Sequence, residues 1–181
     1  MKVLEEPTMD ISCTINDEPV RAQVTVRQTL VDFLRHEVGL TGSHVGCEHG
    51  VCGACHVVVG GRVVRGCLML AVQVNDNDVV TIENSRPTAT TQALQAAFYD
   101  RAALQCGFCT PGMILQASEL LEREPSPTRT QIREALSGNY CRCTGYHAIV
   151  DAVEIAAGRL RNGGEKQPGQ PPASFTRRIT V

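Results

Sequence analysis

Nine cysteines in a chain of 181 residues are the feature that most constrains how this sequence can fold. Eight of them form two groups of four, which are Cys47, Cys52, Cys55 and Cys67, and then Cys106, Cys109, Cys141 and Cys143. In a reducing compartment, clustered cysteines bind metal or carry out redox chemistry more often than they form disulfides. The ninth, Cys13, stands alone in an alternating segment and is expected to be a small buried apolar residue.

Composition excludes several classes of function. The net charge is −2 and aromatic residues make up only 4% of the chain, so the sequence lacks the basic patches and stacking residues that bind nucleic acid. No apolar run reaches the roughly 20 residues that span a bilayer. Residues 1–10 contain neither an apolar signal segment nor a twin-arginine pair. We therefore expect a cytoplasmic protein with no membrane span and no nucleic-acid partner.

The first half of the sequence has the pattern of a small sheet with one helix. Alternating apolar residues predict two β-hairpins and a last short strand, over residues 11–26, 56–65 and 79–82. Apolar residues at helical spacing predict a helix over 29–38, with Thr29 as its N-cap and Gly39 as its stop. A loop rich in glycine and cysteine covers residues 41–55. This pattern predicts a β-grasp-like α+β domain that carries a long metal-binding loop.

The second half has the pattern of packed helices. From residue 91 to about residue 160, apolar residues recur at intervals of three and four. Four such stripes predict four helices, and their main members are Leu94, Phe98, Met113, Leu120, Ile132, Leu136, Ile149 and Val153. Thr110 and Pro111 predict the start of the second helix, with Thr110 as the N-cap. Short connections between these helices predict a compact four-helix bundle.

The first cysteine group has a spacing that is typical of one kind of metal centre. Cys47, Cys52 and Cys55 follow the pattern C-x4-C-x2-C, which is the ligand spacing of plant-type 2Fe–2S ferredoxins. Glycines at positions 46, 50 and 53 would let such a loop curl around a cluster. A zinc site and simple burial of apolar cysteines are the alternatives, although structural zinc favours two separate cysteine pairs.

The second cysteine group is less specific when its spacing is taken alone. Cys106 and Cys109 precede the second predicted helix, and Cys141 and Cys143 precede the fourth. If the pairs meet at one end of a bundle, the positive helix N-termini would favour an anionic cluster. The spacing is compatible with either an iron–sulfur cluster or a zinc ion.

Three long motifs together resemble one known family. They read Gly46-Cys-Glu-His-Gly-Val-Cys-Gly-Ala-Cys55, Gln105-Cys-Gly-Phe-Cys-Thr-Pro-Gly-Met113 and Asn139-Tyr-Cys-Arg-Cys-Thr-Gly-Tyr146. They resemble the 2Fe–2S small subunits of molybdenum hydroxylases, in the superfamily of xanthine dehydrogenase and carbon monoxide dehydrogenase. The resemblance covers roughly residues 9–160 and implies an N-terminal β-grasp, plant-type ferredoxin-like domain followed by a four-helix-bundle 2Fe–2S domain. We expect these domains at residues 1–85 and 92–161, with a linker at 86–91 and a flexible or partner-ordered tail at 162–181.

The resemblance also implies the ligands of two 2Fe–2S clusters. The ferredoxin-like cluster would be bound by Cys47, Cys52, Cys55 and Cys67, and the helical-domain cluster by Cys106, Cys109, Cys141 and Cys143. Gln105 and Cys143 would lie next to the molybdopterin of a partner subunit. No catalytic residue is expected in this chain.

The family implies an electron-transfer role within a larger oxidoreductase. Electrons would pass from molybdopterin on a large subunit, through the two clusters, to FAD on a medium subunit. The assembly would be a hetero-oligomer, in one form a dimer of heterotrimers. A free ferredoxin-type electron carrier and a zinc-stabilised interaction module are the alternative functions.

One residue departs from the family pattern. His56 stands directly after Cys55, where the family usually has threonine. It could tune the neighbouring cluster through hydrogen bonding or titration. The simpler interpretation is that its side chain alternates outward on a strand.

Overall fold

The computed structural model describes residues 6–163, so all but the first two residues of the predicted tail lie outside the described residues. The first half forms a five-stranded mixed sheet in the order β2-β1-β5-β3-β4. Its strands are β1 (Thr8–Ile15), β2 (Glu18–Thr25), β3 (His56–Val59), β4 (Arg62–Arg65) and β5 (Asp78–Val80). β1 runs parallel to β5, whereas the two hairpin pairs and the β3–β5 pair are antiparallel. The predicted hairpins and last strand are therefore present.

One helical segment packs on this sheet. The helix α1 (Leu30–Asp32) continues as a wider π-helical turn over Phe33–Glu37. Thr29 caps it as predicted, because its hydroxyl accepts a hydrogen bond from the amide of Asp32 at 3.2 Å. Gly39 follows the end of the turn with a positive φ of 81°. The prediction of one regular α-helix was wrong in its second half, which widens to the π form.

The core of the first half lies between this segment and the sheet. Leu30, Phe33 and Leu34 are fully buried against apolar residues of the strands. Cys13 belongs to this core with 6% of its surface exposed, so its expected role as a small buried residue is confirmed.

The second half contains four helices. They are α2 (Ala89–Asp100), α3 (Thr110–Arg123), α4 (Arg129–Ala135) and α5 (His147–Arg161). α2 packs against α3 and α5, and α4 packs against α3 and α5, around one apolar core. Helix α3 starts one residue earlier than predicted, because Cys109 is the N-cap and Thr110 is already helical. Cys109 is buried in this core, which places a candidate metal ligand at the N-terminus of α3.

The two halves are in direct contact. Helix α3 packs against β3 and β4, and the carboxylate of Glu119 accepts a hydrogen bond from the amide of Val63 at 3.0 Å. Since β4 is an edge strand of the sheet, this contact covers an otherwise unpaired donor. Within residues 6–163, no helix is both long enough and apolar enough to cross a bilayer.

Candidate metal centres

The first cysteine group lies on the loop between α1 and β3 and on the turn after β4. Glu48, Gly50 and Gly53 have positive φ values of 57°, 78° and 70°, so the backbone reverses direction repeatedly between the cysteines. This curling turns backbone amides toward sulfur. The amides of Val51 and Cys52 approach Sγ of Cys47 at 3.3 and 3.5 Å. Such donors stabilise the charge of a thiolate or of a cluster.

The sulfur atoms of this group lie in two pairs. The thiol of Cys47 interacts with that of Cys52, and the thiol of Cys55 with that of Cys67, closely enough for each pair to influence the other's pKa. Cys52 also interacts electrostatically with Cys67, so the two pairs are neighbours. The structure therefore brings together all four cysteines of the first group.

The second group is arranged in the same way. Sγ of Cys143 lies 3.6 Å from Sγ of Cys106, and the thiols of Cys109 and Cys141 are close enough to influence each other's pKa. Electrostatic interactions connect Cys109 with Cys106 and Cys143 with Cys141. The loop before α3 and the loop before α5 thus meet, as the sequence predicted, and form a second set of four sulfurs.

The paired arrangement suits a binuclear cluster. A 2Fe–2S cluster needs only two thiolates at each iron, with the two irons side by side. Two neighbouring pairs of thiols, with backbone amide donors beside them, therefore fit a 2Fe–2S cluster at both sites.

The environments of the thiols differ in polarity. Amide donors, chiefly those of Cys52 and His49, lower the pKa of Cys47 to about 6. Burial raises the pKa of Cys55 and of Cys109 to about 12. These two buried thiols carry their protons at neutral pH in the absence of iron, so iron binding must displace them.

Cys141 is assisted by a neighbouring threonine. Sγ of Cys141 accepts hydrogen bonds from the hydroxyl of Thr144 at 3.1 Å and from its amide at 3.4 Å. Although burial raises the pKa of Cys141, these hydrogen bonds outweigh it and the net shift is downward. The hydroxyl of Tyr146 supports the same turn, donating to the carbonyl of Asn139 at 3.0 Å and accepting from the amide of Cys141 at 2.8 Å.

The second group reaches the protein surface on one side only. Cys109 is buried, whereas Cys106 and Cys143 are exposed. Gln105 is also exposed, and its side-chain amide donates to the carbonyl of Cys143 at 3.1 Å. The two residues that the family resemblance assigns to the pterin are therefore adjacent to each other at this exposed edge.

One hydrogen bond joins the loops that carry the two groups. The amide of Tyr140 donates to the carbonyl of Cys52 at 2.9 Å. Tyr140 directly precedes Cys141, so a cysteine of the first group is linked to the neighbour of a cysteine of the second. The two sites are thus adjoining parts of one structure.

His56 does not point outward, and this expectation was wrong. It is only 3% exposed, and its Nδ1 lies 3.2 Å from Nδ2 of Asn139. Burial lowers its pKa, an effect that Arg65 reinforces and that a backbone hydrogen bond with Gly112 opposes. Alternation along a strand predicts that this side chain faces solvent, but helix α3 covers that face of β3.

Three supporting residues were missed by sequence reasoning. Asn139, Thr144 and Tyr146 make the hydrogen bonds that shape the second site, yet only the cysteines of that motif were assigned roles. The signal was available, because all three lie within the segment from Asn139 to Tyr146.

Comparison with known protein families covers nearly all of the described residues. A 2Fe–2S iron–sulfur cluster binding domain matches residues 13–80, and a [2Fe-2S] binding domain matches residues 81–154. Each of the two cysteine groups therefore lies in a region that matches a 2Fe–2S domain, and the zinc alternative finds no support.

Several curated proteins are similar along almost their whole length. The nicotine 6-hydroxylase small subunit of Paenarthrobacter nicotinovorans is 48% identical over 85% of this chain and 93% of its own length. The caffeine dehydrogenase subunit gamma of Pseudomonas sp. strain CBB1 is 46% identical over 80% of this chain and 88% of its own. The nicotinate dehydrogenase small FeS subunit of Eubacterium barkeri is 42% identical over 84% of this chain and 97% of its own length.

Solved structures agree with these similarities. A chain of quinoline 2-oxidoreductase from Pseudomonas putida 86 superposes with a TM-score of 0.80 at 45% identity, covering 87% of this chain and 98% of that one. The aldehyde oxidoreductase from Desulfovibrio desulfuricans ATCC 27774 superposes with a TM-score of 0.78 at 39% identity over 84% of this chain and 17% of that one. The chain is therefore an electron-transfer component of an oxidoreductase complex, and it belongs to the family of 2Fe–2S small subunits of molybdenum hydroxylases.

Proposed function

We propose that this chain relays electrons from a molybdopterin centre on a large subunit, through two 2Fe–2S clusters, to FAD on a medium subunit. The hydrogen bond between Tyr140 and Cys52 carries this proposal, because it connects the two sets of cysteines inside one chain. Each cluster, when bound, accepts and releases single electrons. The protein contributes the ligands, the hydrogen bonds to sulfur and the burial that tune such centres.

The ligand sets follow the two groups of four. We assign the first cluster to Cys47, Cys52, Cys55 and Cys67 and the second to Cys106, Cys109, Cys141 and Cys143. The pairing of thiols supports one iron on Cys47 and Cys52 with the other on Cys55 and Cys67. In the second site, the 3.6 Å distance between Sγ of Cys106 and Sγ of Cys143 supports one iron on that pair, which leaves the other iron for Cys109 and Cys141.

The orientation of the relay follows from exposure. Cys106, Cys143 and Gln105 form the exposed edge of the second site, so this edge is proposed to face the molybdopterin of the large subunit. The first site is then the one that faces the FAD subunit. Complexes of this kind would be hetero-oligomers, with a dimer of heterotrimers as the proposed form. A cytoplasmic location would keep the eight thiols reduced and available for iron.

The proposed domain boundaries follow the same division. We place the ferredoxin-like domain at residues 1–85, a linker at 86–91, the helical domain at 92–161 and a tail at 162–181. The end of β5 at Val80 and the start of α2 at Ala89 support a junction in this region. The packing of α2 and α4 against both α3 and α5 supports a four-helix bundle.

The substrate class is proposed from the relatives. Nicotine, caffeine and nicotinate, which name three of them, are all nitrogen heterocycles. We therefore propose that the complex oxidises a nitrogen-heterocyclic aromatic compound at the molybdenum of the large subunit. This chain contributes no residue to substrate recognition in that scheme.

Purification of the intact complex tests this function. The tagged full chain is isolated anaerobically from its own cells, and molybdenum and FAD are measured per chain. We expect both to co-purify, and we expect a panel of nitrogen heterocycles to bleach the visible absorbance of the clusters. Isolation of the chain alone, with full iron and no molybdenum, would contradict the proposal and favour the free electron carrier.

A further inference from the structure

His56 lies at the contact between the two cysteine-bearing loops. It directly follows Cys55 of the first group, and its side chain is buried between the two halves of the molecule. Its neighbours come from both segments of the second site. Asn139 lies two residues before Cys141, and Gly112 lies three residues after Cys109. One side chain therefore contacts both backbone segments from which the second group of cysteines projects.

The hydrogen bonds of Asn139 define the state of the His56 ring. Nδ2 of Asn139 lies 3.3 Å from the carbonyl oxygen of Gly53 and 3.2 Å from Nδ1 of His56. A carbonyl can only accept, so the amide nitrogen of Asn139 must face this side and donate. Nδ1 of His56 is then the acceptor, and the ring proton sits on Nε2. His56 is thus a neutral acceptor inside the contact.

The surrounding backbone leaves little room for adjustment. A side chain at Gly112 would collide with the carbonyl of Gly53, which shows that the first turn of α3 and the loop of Gly53 approach each other backbone to backbone. Oδ1 of Asn139 is buried without a hydrogen-bond partner among the described residues, so the amide is held only through its nitrogen. Loss of the His56 acceptor would remove one of the two contacts that orient this amide.

We propose that His56 is a positioning residue that fixes the separation of the two clusters by bridging the loop of Asn139 and the first turn of helix α3 at Gly112. This inference rests on the proposed ligand sets. His44 makes a second contact between the same halves, stacking on Phe108 with ring centroids 4.6 Å apart. Nδ1 of His44 also lies 2.8 Å from the carbonyl oxygen of Phe108, so this second contact combines stacking with a hydrogen bond at a partly buried site.

The test measures the distance between the clusters directly. The full chain carrying both clusters is reduced with dithionite, and pulsed EPR gives the distribution of distances between the two paramagnetic centres. In His56→Ala we expect a broader and shifted distribution with unchanged iron and sulfide content. His56→Gln retains a side-chain acceptor for Asn139 and should restore a narrow distribution. His36→Ala, at an exposed histidine of the same half, should match the wild type.

Each outcome decides the proposal. A wild-type distribution in fully loaded His56→Ala would overturn it. If His56→Ala loses iron, His56→Gln becomes decisive: full iron in that variant supports the bridge, whereas the same loss overturns a hydrogen-bonding role. Incomplete iron in the wild type would instead contradict the ligand sets. The experiment therefore distinguishes a failure of the ligand assignment from a failure of the role proposed for His56.

Discussion

The hydroxyl of Thr144 donates a hydrogen bond to Sγ of Cys141, one of the proposed ligands of the second cluster. Reduction adds negative charge to a 2Fe–2S cluster, and a donor to sulfur stabilises that charge. We therefore expect Thr144→Val to lower the reduction potential of the second cluster. A charge-assisted hydrogen bond contributes about 1.5–3 kcal/mol, and only its change between redox states counts, so the shift should be on the order of tens of millivolts.

Potentiometric titration followed by EPR measures this shift. Thr130→Val is the matched control, because Thr130 lies exposed on α4, away from the cysteines. Equal potentials in Thr144→Val and in the control would show that this hydrogen bond does not act on the cluster.

Cys109 provides a second test at the scale of one residue. A buried serine hydroxyl does not ionise to replace the thiolate, so Cys109→Ser should remove the second cluster and half of the iron. The EPR signal of the first cluster should remain, and electron flow from molybdenum should stop. Cys13→Ser, at a buried cysteine outside both groups, should keep all of the iron. Unimpaired turnover of Cys109→Ser would refute the ligand assignment.

At the scale of elements, the start of α3 depends on one glycine. A Cβ atom on Gly112 would collide with the carbonyl of Gly53, so Gly112→Ala forces the start of α3 away from the loop that carries Gly53. Overpacking of this kind costs about 1–3 kcal/mol, which should lower the melting temperature by several degrees. A Cβ atom on Gly158, in α5, would meet only the end of the flexible Arg161 side chain, at an ordinary contact distance of 4.0 Å.

Gly158→Ala is therefore the matched control. In a helix, alanine is more favourable than glycine by roughly 1 kcal/mol, so this variant should melt slightly higher than the wild type. Thermal unfolding followed by circular dichroism compares the two. A melting temperature for Gly112→Ala equal to or above that of the wild type would show that the loops are not in close backbone contact.

Sequence patterns predicted most elements because their causes are local. Thr29, Gly39 and the four apolar stripes act within a few residues along the chain, and the structure contains the corresponding cap, stop and helices. The π-helical turn at Phe33–Glu37 was missed, since nothing in the local apolar spacing separates it from an α-helix. The cap of α3 was misplaced by one residue because Thr110 is a common N-cap type, whereas Cys109 is held by the core.

At the scale of the whole molecule, local sequence patterns did not predict the contact between the two halves. His56 was expected to face solvent, because alternation along β3 does not reveal that α3 packs over it. The hydrogen bond from Tyr140 to Cys52 likewise joins residues 88 positions apart in the sequence. The motifs identified the cysteines, but only the fold shows how their two loops meet.

The measurement that tests the central claim most directly is the iron and acid-labile sulfide content of the anaerobically purified full chain, with EPR after reduction by dithionite. Two 2Fe–2S clusters predict four irons and four sulfides per chain from the two matched domains, with two distinguishable signals from S = 1/2 centres. Zinc in place of half or all of the iron would contradict the paired-cluster relay and the assignment of Cys106, Cys109, Cys141 and Cys143.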